Sequence, residues 1–241
     1  MQPLELAVVA GVVCAGAVLQ SFTGFGFALI VAPIAALVAP DLVPGPLLAL
    51  TLLLTLSYTW QARALIDWRD FGFIMLGRLP LTLVAGYAIS RVDPVLMSLV
   101  FGLFLLGAVA VTWSRVSLSP TPAVLTIAGG LSGFFGTLTA VGAPPLAIAY
   151  QNRGGPQIRA TLGANIILGT IVSLAALGLG GRIDWGPLGW QTAAALPFVL
   201  GGSWIGRRLA DRVDEELFRR IVLLVCAVSS SAVVIAALLQ L

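Results

Sequence analysis

The uncharged stretches of the chain show one pattern of lengths, a long run followed by three short ones, and this pattern occurs twice. The first set has a run of 35 residues followed by three of 20 or 21, and the second has a run of 37 followed by three of 21 or 22. Because a hydrocarbon core about 30 Å thick needs roughly 20 helical residues, each of the six short runs predicts one transmembrane helix. Only Arg78 is charged within the runs, which are residues 6–40, 42–62, 71–90, 94–114, 116–152, 160–181, 185–206 and 221–241.

The two long runs exceed what a single crossing requires. At about 1.5 Å per residue, a helix of 35 residues would extend roughly 52 Å. We therefore predict that each long run is a broken helix or a re-entrant helical hairpin, with a new helix beginning after Gly26 in the first and around Thr139 in the second. Proline suits the start of a helix or a kink better than its interior. The expected helix breakers are Gly24 and Gly26 in the first run, followed by Pro33, and Gly133 and Gly136 in the second, followed by Pro144 and Pro145.

Short sequence matches predict an internal duplication. The letters IDW, ten further residues and then LP occur at residues 66–80 and again at residues 183–197. The letters RVD follow both times, at residues 91–93 and 212–214. The identical order of the matches, together with the order of run lengths, predicts two repeats, 1–115 and 116–241, within a single transmembrane transporter domain, 1–241.

The composition is that of a protein embedded in lipid. Hydrophobic residues make up 59% of the chain and charged residues 10%, with a mean hydropathy of +1.04, whereas about a quarter of an ordinary soluble domain is charged. The chain has no histidine, and Cys14 and Cys226 both lie in apolar runs, so neither a metal site nor a cofactor is expected. The expected partners are the lipid bilayer and a small solute, not nucleic acid.

The positions of the arginines distinguish two topologies. If each long run crosses the membrane once, four arginines lie on one side and eight on the other. If each long run is a hairpin, ten lie on one side and only Arg91 and Arg182 on the other, Arg78 being within a span. Since positive charge is enriched on the cytoplasmic side, the sequence predicts an all-α polytopic membrane protein with both termini outside. Its two inverted repeats would each contain a re-entrant hairpin and three transmembrane helices, as in secondary transporters.

Polar residues within the two long runs predict a ligand site. Non-helical backbone at membrane depth is tolerated only where it is buried in protein or lines a polar cavity. We expect the two hairpin tips to meet near the midplane, where the N–H groups of each new helix start and nearby hydroxyls can bind an anion. Close helix packing by small residues is the alternative. The predicted substrate-binding residues are Ser21, Thr23, Gly24, Phe25, Gly26, Arg78, Ser132, Gly136, Thr137, Thr139 and Asn165.

Arg78 gives the strongest single indication of function. It lies eight residues into a 20-residue apolar run, and a charge near the middle of a bilayer costs at least about 2.5–3.5 kcal/mol on insertion scales. No carboxylate lies inside an apolar run to neutralise it, so an anionic substrate is the expected partner. A snorkelling arginine, or one bonded to backbone carbonyls, is the alternative. For Asn165, helix–helix hydrogen bonding is the expected role.

Two segments outside the apolar interior have simpler interpretations. The stretch DRVDEELFRR, residues 211–220, is expected to form a solvated loop. The tryptophans near predicted helix ends are expected to form an interfacial belt; they are Trp60, Trp68, Trp113, Trp185 and Trp190.

The first long run contains QSFTGFGFALIVAP and the second contains GFFGTLTAVGAPPL, and the chain resembles the TauE/SafE family of sulfite and organosulfonate exporters in these motifs. The resemblance covers essentially the whole chain. It implies an inner-membrane carrier for small sulfur-containing anions such as sulfite or sulfonates. The family motif residues correspond to Gly24, Gly26, Pro33, Gly136 and Pro145. Thr137 and Thr139 stand where a strict copy of the first motif would have Phe25 and Phe27.

Export of a small sulfur-containing anion is therefore the expected function, and transport of another small organic anion is its nearest alternative. A membrane enzyme is disfavoured, because the hydroxyl side chains have no histidine or intramembrane carboxylate to act as a base. An assembly factor is the remaining alternative. The oligomeric state stays open, with a homodimer as one possibility. Without a titratable acid in the apolar runs, we expect efflux driven by the membrane potential rather than by protons.

Overall fold

The chain folds into α-helices, as the sequence predicts. The computed structural model describes residues 3–24, 26–89, 91–114, 118–150, 155–209 and 215–240. Within these residues there are ten α-helices, two short 3-10 turns and no β-strand. The helices are α1 Pro3–Thr23, α2 Phe27–Val38, α3 Gly45–Gln61, α4 Trp68–Ala88, α5 Pro94–Ser114, α6 Pro122–Thr139, α7 Ala143–Ala149, α8 Pro156–Leu179, α9 Trp185–Leu209 and α10 Glu215–Leu238.

The surface of the helices fits a lipid environment. Among the described residues, α4, α6 and α8 are long and apolar enough to cross a membrane. Shorter apolar helical segments occur at Ala7–Ser21, Phe27–Val38, Val95–Val111 and Leu223–Leu238. Large apolar side chains such as those of Leu76, Leu83 and Ile127 are more than half exposed. An apolar surface of this kind is typical of a membrane protein.

The first long run breaks where the sequence predicts. Between the end of α1 and the start of α2, Gly24 has φ +79° and Gly26 has φ +113°. This left-handed backbone is accessible to glycine without a steric penalty. The helix that follows turns back along α1, because Gly16 lies against Phe27 and Val31.

The second long run also breaks, near Thr139 as predicted but not at the glycines that precede it. Gly133 lies within α6 rather than at the break, as does Gly136. The break follows Thr139, where Ala140 adopts φ 62°, and the chain then folds back so that Gly142 lies against Ser132. Proline suits the first turn of a helix, and two prolines follow the break in the first turn of α7.

The repeated IDW motif marks the start of a helix in both halves. Asp67 precedes α4, and its side chain accepts hydrogen bonds from the N–H groups of Arg69 and Asp70 at 3.0 and 3.1 Å. Asp184 precedes α9 and accepts from the N–H of Gly186 at 3.2 Å. Aspartate is a preferred N-cap because it satisfies N–H groups that have no partner within the helix. The motif thus encodes a helix start.

The charged stretch at residues 211–220 is not a loop throughout. Residues 210–214 lie outside the described residues, but α10 begins at Glu215 and already includes the acidic and basic residues that follow. Glutamate near the start of a helix interacts favourably with the helix dipole. The expectation of a solvated loop is therefore wrong for residues 215–220.

Two pairs of helices pack in parallel through small residues. Along α4 and α6, Gly129 lies against the backbone of Ile74 and Gly133 against that of Arg78. Along α1 and α9, Gly202 lies against Cys14 and Gly206 against Ser21. In both pairs the contacting positions advance together, so the paired helices run in the same direction. Such close backbone approach is typical of membrane helices.

Candidate functional site

Arg78 lies at the eleventh of the 21 positions of α4 and is only 3% exposed. Its Nη1 donates a hydrogen bond to the hydroxyl oxygen of Ser132 on α6, at 3.0 Å. Its Nε is fully buried and has no hydrogen-bond partner. Among the described residues, no carboxylate forms an ion pair with this guanidinium. A buried arginine therefore keeps an unused donor and an uncompensated charge.

Glycines make the space in which the guanidinium lies. Gly169 on α8 has no room for a Cβ, because that atom would overlap Nε and Cζ of Arg78. Gly133 on α6 lies against the backbone oxygen and Cγ of Arg78, and Gly136, one turn further, faces Nη2. Helices α4, α6 and α8 thus enclose the Arg78 side chain, and the glycines of α6 and α8 leave room for it.

Buried hydroxyl groups lie close to the same three helices. The hydroxyls of Thr137 on α6 and Ser173 on α8 are 2.8 Å apart and share a hydrogen bond. The Thr82 hydroxyl, one turn beyond Arg78 on α4, is buried without a partner and faces Gly133. Thr82, Gly169 and Ser173 are not among the residues predicted from the sequence. The sequence does indicate them, because they follow Arg78 or Asn165 at four-residue spacings and so lie on the same helix faces.

Asn165 is fully buried on α8, one turn before Gly169. Its Nδ2 donates to the backbone oxygen of Thr161 at 2.9 Å, within its own helix. Its Oδ1 is buried and has no hydrogen-bond partner. Asn165 therefore bonds within its own helix and not, as expected, to another helix.

The first break is closed by side chains of the protein itself. Gln20 accepts a hydrogen bond from the N–H of Phe27, the first residue of α2, at 3.2 Å. The same side chain donates to the hydroxyl of Thr55 on α3, at 2.8 Å. Tyr58 donates to the carbonyl oxygen of Gly24. The N–H group of Phe27 is thus already occupied.

The second break also offers fewer N–H groups than expected. Pro144 and Pro145 occupy the first turn of α7 and have no N–H to donate. The Thr139 hydroxyl donates to the backbone oxygen of Phe135 at 2.7 Å and accepts from the N–H of Val141 at 3.0 Å. An anion near this break would therefore be held by side chains of the surrounding helices.

The predicted site residues fall into two groups. Four of them lie around Arg78 or on the helix faces next to it: Ser132, Gly136, Thr137 and Asn165. Others lie at the first break, where Ser21 donates to the backbone of its own helix and Gly24 packs against the side chain of Arg159. Phe25 lies outside the described residues, as does the side chain of Thr23. Both breaks border one apolar cluster that includes Phe27 and Val141.

This geometry suits an anion. An uncompensated cation in a medium of low dielectric constant attracts an anion far more strongly than it would in water. Hydroxyl groups at its sides can donate further hydrogen bonds. The arrangement therefore suits the binding of an anion.

A comparison with protein families gives a match over residues 8–233 to the family described as "Sulfite exporter TauE/SafE". No curated protein matches the chain, and no solved structure does.

Proposed function

Since the chain belongs to the sulfite exporter TauE/SafE family, a family of membrane transporters, we propose that it exports small sulfur-containing anions such as sulfite or organosulfonates across the inner membrane. Arg78 holds the anion during passage. The main support for this proposal is the Arg78 guanidinium. It is buried at mid-helix, makes one hydrogen bond to Ser132 and has an Nε without a partner.

The arrangement of charged ends supports a topology with two re-entrant hairpins. The N–H of Asp67 bonds to the hydroxyl of Thr161 at 2.9 Å, so the start of α4 and the start of α8 lie at the same end of the molecule. Gly24 contacts Arg159, and Ser21 contacts Gly206 near the end of α9. We propose that this end, rich in arginine, faces the cytoplasm.

The directions of the helices support inverted halves. Helices α4 and α8 are parallel, because Gly169 contacts Arg78 and Ala176 contacts Gly86. Only residues 180–184 separate α8 from α9, so these two helices run oppositely if both cross the membrane. Helices α4 and α9, which carry the two IDW motifs, then run in opposite directions. Inverted halves around a midplane site are typical of secondary transporters.

Anion efflux from proteoliposomes tests the proposed function. Replacing Arg78 with Gln removes the charge, and we expect the affinity for radiolabelled sulfite to fall at least about tenfold, because a hydrogen bond to a charged group contributes about 1.5–3 kcal/mol. Arg207→Gln, an exposed arginine at the end of α9, is the matched control and should change affinity less than about twofold. Equal losses in both variants would contradict a binding role for Arg78.

A further inference from the structure

Asn165 places an unused hydrogen-bond acceptor close to the anion site. Its Nδ2 is committed to the carbonyl oxygen of Thr161 at 2.9 Å. This bond fixes the orientation of the amide, because exchanging nitrogen and oxygen would set two acceptors against each other. The atom left without a partner is therefore Oδ1, which can only accept.

The position of Asn165 on α8 directs it toward the same interface as Arg78. Asn165, Gly169 and Ser173 are spaced by four residues, so they lie on one face of the helix. Gly169 lies against the guanidinium of Arg78, and Ser173 shares a hydrogen bond with Thr137. Asn165 is one turn, about 6 Å along the axis, from the contact with Arg78.

The two unpartnered groups have opposite hydrogen-bonding character. The Nε of Arg78 only donates and the Oδ1 of Asn165 only accepts, whereas the unpartnered hydroxyl of Thr82 can do either. A bare anion offers acceptors alone, so it would satisfy Arg78 and leave Asn165 without a partner. A buried acceptor without a partner weakens binding of such a ligand.

Resting on the proposed function of Arg78 as the anion-binding residue, we infer that the preferred ligand carries a hydrogen-bond donor beside its anionic group, and that Asn165 recognises this donor. Hydroxy- or amino-substituted sulfonates have such a donor, as does a singly protonated oxyanion. A site built to bond a ligand hydroxyl discriminates strongly against the analogue that lacks it. Asn165 is in this sense a specificity-determining residue.

A pair of ligands that differ by one hydroxyl tests the inference. Isothermal titration calorimetry on the purified full-length protein would compare 2-hydroxyethanesulfonate with ethanesulfonate. We expect the wild-type protein to bind the hydroxylated anion about tenfold more tightly. In Asn165→Leu, which keeps the branched shape of the side chain but removes the acceptor, the two affinities should become equal. Thr59→Val is the matched control, because Thr59 also has a buried, unpartnered oxygen but lies against Gly163.

The outcomes separate this inference from the proposed function. Equal binding of both anions by the wild-type protein, or a preference that persists in Asn165→Leu, overturns the role of Asn165 while Arg78 can still be the anion-binding residue. Loss of the preference in Thr59→Val as well would show a general effect of altered packing and would also overturn it. Absence of binding of both sulfonates overturns the inference, while sulfite efflux still tests the proposed function. Binding of both that Arg78→Gln leaves unchanged contradicts the proposed function and the inference with it.

Discussion

The hydrogen bonding of Arg78 distinguishes a binding residue from a structural one. An arginine that only joined helices would have its donors saturated by carbonyl oxygens, which would offset part of the cost of burying a charge. Arg78 instead makes a hydrogen bond to one serine and keeps its Nε free of partners. A charge near mid-bilayer costs at least about 2.5–3.5 kcal/mol, so a ligand that neutralises it gains a large part of that free energy.

The contact between Gly169 and Arg78 can be tested with a single substitution. In Gly169→Ala the added methyl group would overlap the guanidinium, so the arginine must shift. We expect a loss of about 1–3 kcal/mol in the free energy of unfolding, as for other overpacked cores, and weaker sulfite binding. Thermal unfolding and calorimetric titration measure the two effects.

Gly107→Ala is the matched control, because nothing lies within 4 Å of a Cβ at Gly107. Alanine is favoured over glycine in a helix by up to about 1 kcal/mol, so this variant should be equally or more stable and should bind sulfite normally. A Gly169→Ala protein with unchanged sulfite affinity would show that the position of the guanidinium does not matter.

The two broken helices are stabilised in different ways. At the first break the Gln20 side chain joins α1, the start of α2 and α3 through hydrogen bonds to Phe27 and Thr55. At the second break the Thr139 side chain bonds to the adjacent backbone, and prolines begin the next helix. Only the second broken helix, α6, carries the serine that bonds to Arg78. The site thus combines Arg78 from residues 1–115 with Ser132 and Gly169 from residues 116–241.

Replacing Gln20 with Leu tests the role of this side chain at the first break. The variant leaves the N–H of Phe27 and the hydroxyl of Thr55 without their partner in a buried place, and an unsatisfied buried group costs about 1–3 kcal/mol. We expect a lower unfolding temperature in detergent. Gln61→Leu is the control, since Gln61 makes one exposed hydrogen bond to Ser57. Equal stability of the two variants would mean that the first break does not depend on Gln20.

For the whole molecule, the contacts between helix ends place the starts of α4 and α8 at the same end. The N–H of Asp67 donates to the hydroxyl of Thr161, and the Gln157 amide donates to the Asp67 carboxylate. Arg159 packs on the first break. The opposite end contains the turn at Gly180, which lies against the backbone of Gly86. This arrangement supports the proposed topology with two hairpins.

Cysteine labelling in intact cells tests that topology. In a background without Cys14 and Cys226, single cysteines at positions 63, 159 and 207 should be protected from an impermeant reagent, because we propose a cytoplasmic location for them. Cysteines at positions 91 and 182 should react. Opposite labelling of positions 63 and 159 would contradict the hairpins and favour eight simple crossings.

The driving force for transport is a second property of the whole molecule. Asp41, Asp67, Asp93 and Asp184 lie at helix ends rather than inside the apolar runs. An anion in a cell that is negative inside is driven outward by about 2.3 kcal/mol per charge for each 100 mV. We expect sulfite efflux from proteoliposomes to follow an imposed potassium–valinomycin potential and to ignore a pH gradient at constant substrate charge. Transport that follows the proton gradient at clamped potential would contradict this mechanism.

The sequence by itself determined the membrane character, the approximate helices and the fact that both long runs break. These properties depend on local patterns: the length of an apolar run, a glycine pair such as Gly24 and Gly26, or an aspartate before a helix. The mid-helix position of Arg78 followed from the same patterns, because a helix has a fixed rise per residue.

Only the tertiary structure decided which residues surround Arg78 and which glycines of the second run stay helical. Ser132 and Gly169 lie on other helices, and no local pattern states which faces of two helices meet. As a glycine, Gly133 was expected to break the helix, but close packing against α4 keeps it helical. The chain turns at Ala140 instead. Glycine serves a break and a close contact equally well, so its role is decided by the helix that packs against it.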